Sequence, residues 1–99
     1  EFTTASRMLD AGASGIIAPM VNSVVDAKQL AAFTKFPPTG ERSWGPARAL
    51  SISGLTPLDY LKQANGFSLT IAMIETRAAM AALDAILAVD GIDGVFVGP

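Results

Sequence analysis

Three short apolar segments recur along the chain, each bounded by turn-forming residues. "IIAPMV" covers residues 16–21, "FSLTIAMIE" covers residues 67–75, and "GVFVGP" covers residues 94–99. Continuous apolar runs of this length are typical of strands that are covered on both faces, as in a parallel sheet. The pattern therefore predicts three buried strands.

Helical patterns separate these strands. Apolar residues at helical spacing predict one helix over residues 3–11, one after Ser23, one that begins at Pro57, and one after Thr76. Ser23 and Thr76 have hydroxyl side chains that suit helix N-caps. Between the second and third helices, residues 39–55 contain several glycines and prolines without any period, which predicts a loop.

The order of these elements predicts the fold class. Helices alternate with strands, and such an order implies right-handed crossovers and a parallel sheet. Residues 11–19 ("AGASGIIAP") and 90–99 ("DGIDGVFVGP") share a weak repeat in which glycines precede a short strand and a proline. We predict an α/β fold that is a fragment of a (β/α)₈ TIM barrel. A full barrel takes about 250 residues, so this chain would supply about three parallel strands with their helices.

Composition narrows the possible functions. The 99 residues are 51% hydrophobic and 16% charged, and the net charge is −2, which is typical of a globular domain. The basic residues form no cluster, so we expect neither a nucleic-acid nor a membrane partner. Cys and His are absent, which excludes disulfides, thiolate metal sites and imidazole-based catalysis within these residues.

Glu75 is the charged residue that ends the second apolar strand. In parallel α/β folds the active site lies at the carboxyl ends of the strands. Strand alternation places Leu69, Ile71, Met73 and Glu75 on one face. A carboxylate at the top of an enclosed face is costly unless a cation neutralises it, and Mg²⁺ and Mn²⁺ favour carboxylate ligands. This placement makes Glu75 a candidate metal ligand.

A structural role for Glu75 is the alternative. A carboxylate beside a helix start gains roughly 0.3–1 kcal/mol from the helix dipole. Glu75 could also pair with Arg77 or Arg48 at the surface. Spacing alone leaves both interpretations open.

Three longer segments carry a family resemblance. They are "LDAGASGIIAPMVNS", "FPPTGERSWGPARA" and "IETRAAMAALDAILAVDGIDGVFVGP", and together they cover nearly the whole chain. The combination resembles the HpcH/HpaI aldolases, which are metal-dependent class II pyruvate aldolases. Relatives include 4-hydroxy-2-oxoheptanedioate aldolase and macrophomate synthase. On this resemblance, residues 1–99 are expected to be the central part of a single aldolase barrel domain.

The resemblance implies a site and a cofactor. The family holds a divalent metal (Mg²⁺, Mn²⁺ or Co²⁺) with a Glu and an Asp, and Glu75 matches that Glu. Gly98 matches a glycine whose backbone lies against the substrate carboxylate. The ligand Asp is expected just past Pro99, and the Arg and His that act in catalysis are expected before Glu1, so no catalytic residue is assigned within residues 1–99.

Two further expectations qualify this match. Arg42 and Arg48 lie in the segment 39–55, away from the matching strand, and are not candidates for the catalytic Arg. Many family members have Gln where this chain has Met73. This difference affects a hydrogen bond near the metal and the choice of the aldehyde substrate.

The implied function is a carbon–carbon lyase. It would cleave 2-keto-3-deoxy or hydroxy-oxo acids to pyruvate and an aldehyde through a metal-stabilised enolate. The alternatives are decarboxylation of oxaloacetate with enolate capture, and a non-catalytic truncated paralogue. The expected partners are small molecules and further copies of the chain, as a hexamer, in the cytoplasm.

Overall fold

A computed structural model describes residues 2–98, in which helices and parallel strands alternate. In chain order the elements are α1 (Thr3–Asp10), β1 (Gly15–Ala18), α2 (Val24–Thr34), α3 (Ala47–Ser53), α4 (Pro57–Phe67), β2 (Leu69–Ile74), α5 (Arg77–Ala81), α6 (Leu83–Leu87) and β3 (Gly94–Val97). None of these helices combines the length and apolar character needed to cross a membrane.

The three strands form one parallel sheet in the order β1-β2-β3. Ile17 lies opposite Ile71 across the first pair, and Met73 lies opposite Phe96 across the second. Each strand therefore pairs with the next strand along the chain, and their carboxyl ends point the same way. The parallel sheet predicted from the order of the elements is confirmed.

Helices cover one face of the sheet. Along β2, Thr70, Ala72 and Ile74 are almost completely buried on this side. The small side chains of Ala72, Ala27 and Ala79 let the helices approach the strands closely, and all three are fully buried. The main buried core is Ala5, Leu9, Ile16, Ala18, Val21, Ala27, Leu30, Ala72, Ile74, Ala79 and Ile86.

The opposite face is apolar but exposed in the described residues. We call it the open face, and it consists of Ile17, Leu69, Ile71, Met73 and Phe96. Ile17, Leu69 and Phe96 are 53%, 51% and 50% exposed. Since the alternation along β2 also places Ile71 and Met73 on this face, the predicted shared face of the second strand is confirmed.

The sequence pattern predicted a loop over residues 39–55. This prediction is wrong for the second half of the segment, which forms α3. Its glycines and prolines bound the helix instead of excluding it. Pro46 stands directly before the first helical residue, and Gly54 follows the last with a φ of 72°. A left-handed residue after the last turn is the usual way a helix ends, and glycine adopts it without steric cost.

A second cluster ties this segment to α4. The rings of Phe36, Trp44 and Tyr60 pack against one another, with centroids 5.8 to 6.2 Å apart. The Arg42 guanidinium lies 4.3 Å from the Phe36 ring centroid and donates a 2.7 Å hydrogen bond to Asp10 Oδ1. This cluster therefore anchors the segment at the end of α1, where the chain enters β1.

Two predicted helix boundaries are wrong in detail. The single helix expected after Thr76 is interrupted at Ala82 and forms α5 and α6. The pair Asn65-Gly66 is a common helix C-cap and predicts the end of the third helix there, but α4 continues to Phe67. The Asn65 side chain instead pairs with the backbone of Phe36, accepting from its N–H at 2.7 Å and donating to its carbonyl at 2.9 Å.

A buried lysine joins the amino ends of β2 and β3. The Lys35 ammonium donates to the carbonyls of Ser68 and Asn65 at 2.6 and 3.0 Å and to Asp93 Oδ2 at 2.8 Å. The same Asp93 oxygen accepts from the Thr70 N–H at 2.8 Å. Lys35 is 1% exposed, so its charge is stable there only because these oxygens surround it.

We expect Lys35→Met to lower the free energy of unfolding by about 3 kcal/mol, because the carbonyl of Ser68 and the carboxylate of Asp93 would lose their cation. Lys28→Met is the matched control on the exposed side of α2 and should change it by less than about 0.5 kcal/mol. Urea denaturation of both variants of the full-length protein measures the difference. Equal stabilities would show that the Lys35 contacts contribute nothing net.

We expect a polypeptide limited to residues 1–99 to self-associate. It would expose the apolar open face and the unpaired edges of β1 and β3, and such surfaces pair promiscuously. Sedimentation velocity and calorimetry test this expectation. A monomer with a sharp two-state transition would contradict it.

Candidate functional site

The carboxyl ends of the three strands meet at one edge of the sheet. We call this the carboxyl edge, and it comprises residues 19–23 after β1, residues 75–76 after β2, and Gly98 after β3. Both candidate residues predicted from the sequence, Glu75 and Gly98, lie there. The parallel register brings them together, since Ile74 lies opposite Val97 and each candidate directly follows one of these residues.

Glu75 is partly buried, and its carboxylate turns toward β1. Its Oε2 accepts a 2.9 Å hydrogen bond from the backbone N–H of Met20. Within residues 2–98 no donor pairs with Oε1, and Glu75 forms no salt bridge with Arg48 or Arg77. The ion pairs found there join Lys35 to Asp93 and Arg42 to Asp10. The alternative in which Glu75 pairs with Arg77 or Arg48 at the surface is therefore not observed.

Glu75 also lies just before α5. The residue that caps this helix is therefore relevant to the alternative in which Glu75 interacts only with the helix start. The N-cap of α5 is Thr76, whose Oγ1 accepts from the Ala79 N–H at 3.0 Å. The predicted cap is thereby confirmed. Thr76 therefore fills the cap position of this five-residue helix, and the Glu75 carboxylate, which accepts from Met20, does not.

Gly98 lies beside Glu75 without a side chain between them. A Cβ atom built on Gly98 would lie 3.7 Å from Glu75 Cγ and 3.9 Å from the Cγ and Sδ atoms of Met73. The Gly98 N–H already donates to the Ile74 carbonyl at 3.0 Å. What Gly98 offers at this edge is therefore open space next to a carboxylate, and not a free N–H donor.

A chain of side-chain hydrogen bonds holds the carboxyl edge together. The Thr76 hydroxyl donates to Asn22 Oδ1 at 2.7 Å, which connects the ends of β2 and β1. The Asn22 N–H donates to Asp26 Oδ2 at 3.0 Å, and Ser23 caps α2 by accepting from the Asp26 N–H at 3.1 Å. The loop after β1 is thus tied both to β2 and to the helix that follows it.

The arginines of the segment 39–55 lie elsewhere. Arg42 is buried in the aromatic cluster against Asp10, and Arg48 lies exposed on α3. This agrees with the expectation that neither serves the site at the carboxyl edge. Among the described residues, no three Asp or Glu side chains are grouped to hold a metal ion.

The backbone of Met20 was not anticipated from the sequence. Its φ is 59°, the left-handed region that residues with a side chain rarely adopt. Gly or Asn would have signalled such a conformation, but Met gives no such signal. The bond between Thr76 and Asn22 was likewise missed, since it joins residues far apart in the chain.

Sequence comparison identifies relatives of this chain. Residues 1–99 match the family model described as HpcH/HpaI aldolase/citrate lyase. A hydroxypyruvate/pyruvate aldolase of Rhizorhabdus wittichii is 53% identical over 93 residues, which are 94% of this chain and 36% of that protein. A 4-hydroxy-2-oxo-heptane-1,7-dioate aldolase of Salmonella paratyphi B is 45% identical over 93 residues, which are 94% of this chain and 35% of that protein.

Solved structures of two related proteins superpose on this chain. The HpcH/HpaI aldolase from Desulfitobacterium hafniense superposes with a TM-score of 0.87 at 31% identity, over 100% of this chain and 38% of that one. Macrophomate synthase superposes with a TM-score of 0.78 at 32% identity, over 97% of this chain and 34% of that one. The chain thus spans little more than a third of the length of the proteins it resembles.

These similarities test two predictions made from the sequence, the fold class and the family resemblance. The predicted fold class, about three parallel strands of a (β/α)₈ barrel with their helices, is confirmed by the parallel sheet and by the superposition over the whole chain. The resemblance noted from the three sequence segments is also confirmed, since a family model matches every residue. The chain belongs to the HpcH/HpaI aldolase/citrate lyase family.

Proposed function

We propose that the protein is a metal-dependent aldolase. It cleaves 2-keto-3-deoxy or hydroxy-oxo acids to pyruvate and an aldehyde, and residues 1–99 are the central part of its barrel domain. The observation that carries the proposal is the position of the Glu75 carboxylate, at the carboxyl edge of a parallel sheet and beside Gly98. Two relatives are named as aldolases, which supports the same reaction class.

Glu75 has the chemistry and the surroundings of a ligand for a hard cation. Its Oε2 is fixed by the Met20 N–H, and its Oε1 has no donor among the described residues. Mg²⁺ commonly takes one or two carboxylates and fills its other positions with waters and substrate oxygens, so a single Glu fits. We assign Mg²⁺, Mn²⁺ or Co²⁺ to this position. Such a cation supplies Lewis-acid stabilisation of the charge that develops when a carbon–carbon bond breaks beside a keto group.

Gly98 makes room for the substrate. Because its own N–H is bonded to Ile74, we assign to Gly98 the close approach of its backbone to the keto acid's carboxylate. The space in question is the one that a Cβ atom would fill, beside Glu75 and Met73. Met73 lines the same space with a thioether in place of the amide that many relatives carry there, which makes this wall less polar.

The remaining catalytic groups are assigned by resemblance. A second carboxylate ligand is expected just past Pro99, and the Arg and His that act on the substrate are expected before Glu1. We further propose a cytoplasmic homo-oligomer, with a hexamer as the expected form. Within the described residues, Trp44, Ile52 and Leu58 are 51%, 63% and 61% exposed, which leaves apolar surface for another part of the barrel or another subunit to cover.

A second reaction is favoured by one comparison. Macrophomate synthase shares the fold of this chain at 32% identity. Because the family resemblance implies oxaloacetate decarboxylation with enolate capture as the alternative reaction, this likeness supports it as a second candidate. Supplying the purified full-length protein with oxaloacetate or with a 4-hydroxy-2-oxo acid separates the two reactions. Release of CO₂ from oxaloacetate faster than with the metal ion alone identifies a decarboxylase, and release of an aldehyde from the 4-hydroxy-2-oxo acid identifies an aldolase.

We expect Glu75→Gln in the full-length protein to preserve the fold and to weaken Mn²⁺ binding by at least about 100-fold. A neutral amide is a poorer ligand for a hard cation, while its oxygen can still accept from the Met20 N–H. Aldol cleavage should fall by a similar factor. Calorimetric Mn²⁺ titration and an assay for pyruvate release measure both effects.

Glu41→Gln is the matched control, because Glu41 is exposed and lies away from the carboxyl edge. It should leave Mn²⁺ affinity and turnover unchanged. If Glu75 serves only the helix end, Glu75→Gln would lower stability by up to about 1 kcal/mol and leave both readouts intact. That result would rule out the ligand assignment.

We expect Gly98→Ala to fold normally and to lower kcat/KM for the keto acid by about tenfold or more, since the added methyl occupies space assigned to the substrate. The methyl would meet Glu75 and Met73 at ordinary contact distances, so it introduces no strain. Gly66→Ala, where nothing lies within 4 Å of the added Cβ, is the control. Steady-state kinetics compare the two variants, and an unchanged Gly98→Ala enzyme would contradict the assignment.

A further inference from the structure

The loop after β1 carries an unusual backbone conformation at the carboxyl edge. Met20 has a φ of 59°, which is uncommon for a residue with a Cβ atom. Its side chain is 56% exposed, so burial of the thioether does not explain the conformation. A conformation of this kind persists when the surroundings hold it, and it commonly occurs at functional sites.

The surroundings of Met20 hold the loop on both sides. Before it, Ala18 is buried in β1 opposite Ala72. After it, Val21 is fully buried in the core, and Asn22 accepts from the Thr76 hydroxyl at 2.7 Å. The chain must therefore turn sharply at residue 20, between anchored neighbours.

The turn directs the Met20 N–H at the Glu75 carboxylate. The donor lies 2.9 Å from Oε2, which is the distance of a charge-assisted hydrogen bond. This bond fixes the Glu75 side chain, which otherwise rotates about several single bonds. It also occupies Oε2 and leaves Oε1 as the oxygen without a donor among the described residues.

We propose that Met20 is a positioning residue for the cation site, acting through its left-handed backbone and not through its side chain. The inference rests on the proposed role of Glu75 as a metal ligand. By holding one carboxylate oxygen, the Met20 N–H presents the other to the cation before binding. Groups that orient a ligand in this way typically contribute about 10- to 100-fold to metal affinity.

Two substitutions in the full-length protein separate backbone from side chain. Met20→Asn removes the thioether but favours the left-handed conformation, whereas Met20→Val has a β-branched side chain that opposes it. Mn²⁺ affinity is measured by calorimetry and by electron paramagnetic resonance of the free ion. Hydrogen exchange of the residue 20 amide in the metal-free protein reports on the bond to Glu75 independently of any metal.

We expect Met20→Asn to keep the wild-type Mn²⁺ affinity and slow amide exchange. Met20→Val should bind Mn²⁺ about tenfold more weakly and exchange faster. Equal affinities in the two variants would overturn the proposal. If Met20→Val does not fold, replacement of the residue 20 amide by an ester, which deletes only the N–H, takes its place with the same expected loss.

Glu75→Gln distinguishes failure of this inference from failure of the proposed function. If Glu75→Gln weakens Mn²⁺ binding while Met20→Val and the ester do not, Glu75 is a ligand and Met20 does not position it. If Glu75→Gln leaves Mn²⁺ binding unchanged, the ligand assignment itself fails.

Discussion

The parallel register of β2 with its two neighbours is the constraint on which the other features depend. It sets Ile17 opposite Ile71 and Met73 opposite Phe96. Since side chains alternate along each strand, the same register places one set of residues under the helices and the other on the open face. A slip of one residue would exchange the two sets and carry Glu75 to the helix side, away from Gly98.

The amino ends of the strands contribute to stability, whereas the carboxyl ends hold the candidate site. At the amino ends, the buried Lys35 ammonium is surrounded by carbonyl oxygens and the Asp93 carboxylate. These contacts, with the Asn65 carbonyl, use all three donors of the ammonium. At the carboxyl edge, Glu75 keeps an oxygen without a donor among the described residues, and Gly98 leaves space beside it. The division agrees with the general placement of stability and chemistry at opposite ends of parallel barrels.

Aromatic packing explains how a long connection crosses from α2 to β2 without disturbing the site. Phe36, Trp44 and Tyr60 form their own small cluster with Arg42, separate from the main core. Arg42 reaches back to Asp10 at the end of α1. The connection is therefore anchored near the amino end of β1, away from the carboxyl edge.

By itself, the sequence determined the fold class, the three strands and Glu75 as a candidate residue of the site. Local features sufficed for these, because apolar runs, caps such as Thr76 and a lone carboxylate after a buried strand each depend on neighbours in the chain. Gly98, by contrast, was identified only through the family resemblance. The helix α3 was missed because Gly and Pro mark helix ends as well as loops. Only the tertiary structure decided that Met20 turns its N–H to Glu75 and that the Gly98 N–H is already used by Ile74. These contacts join different strands, and nothing in the local sequence encodes which backbone group will face which side chain once the strands pair.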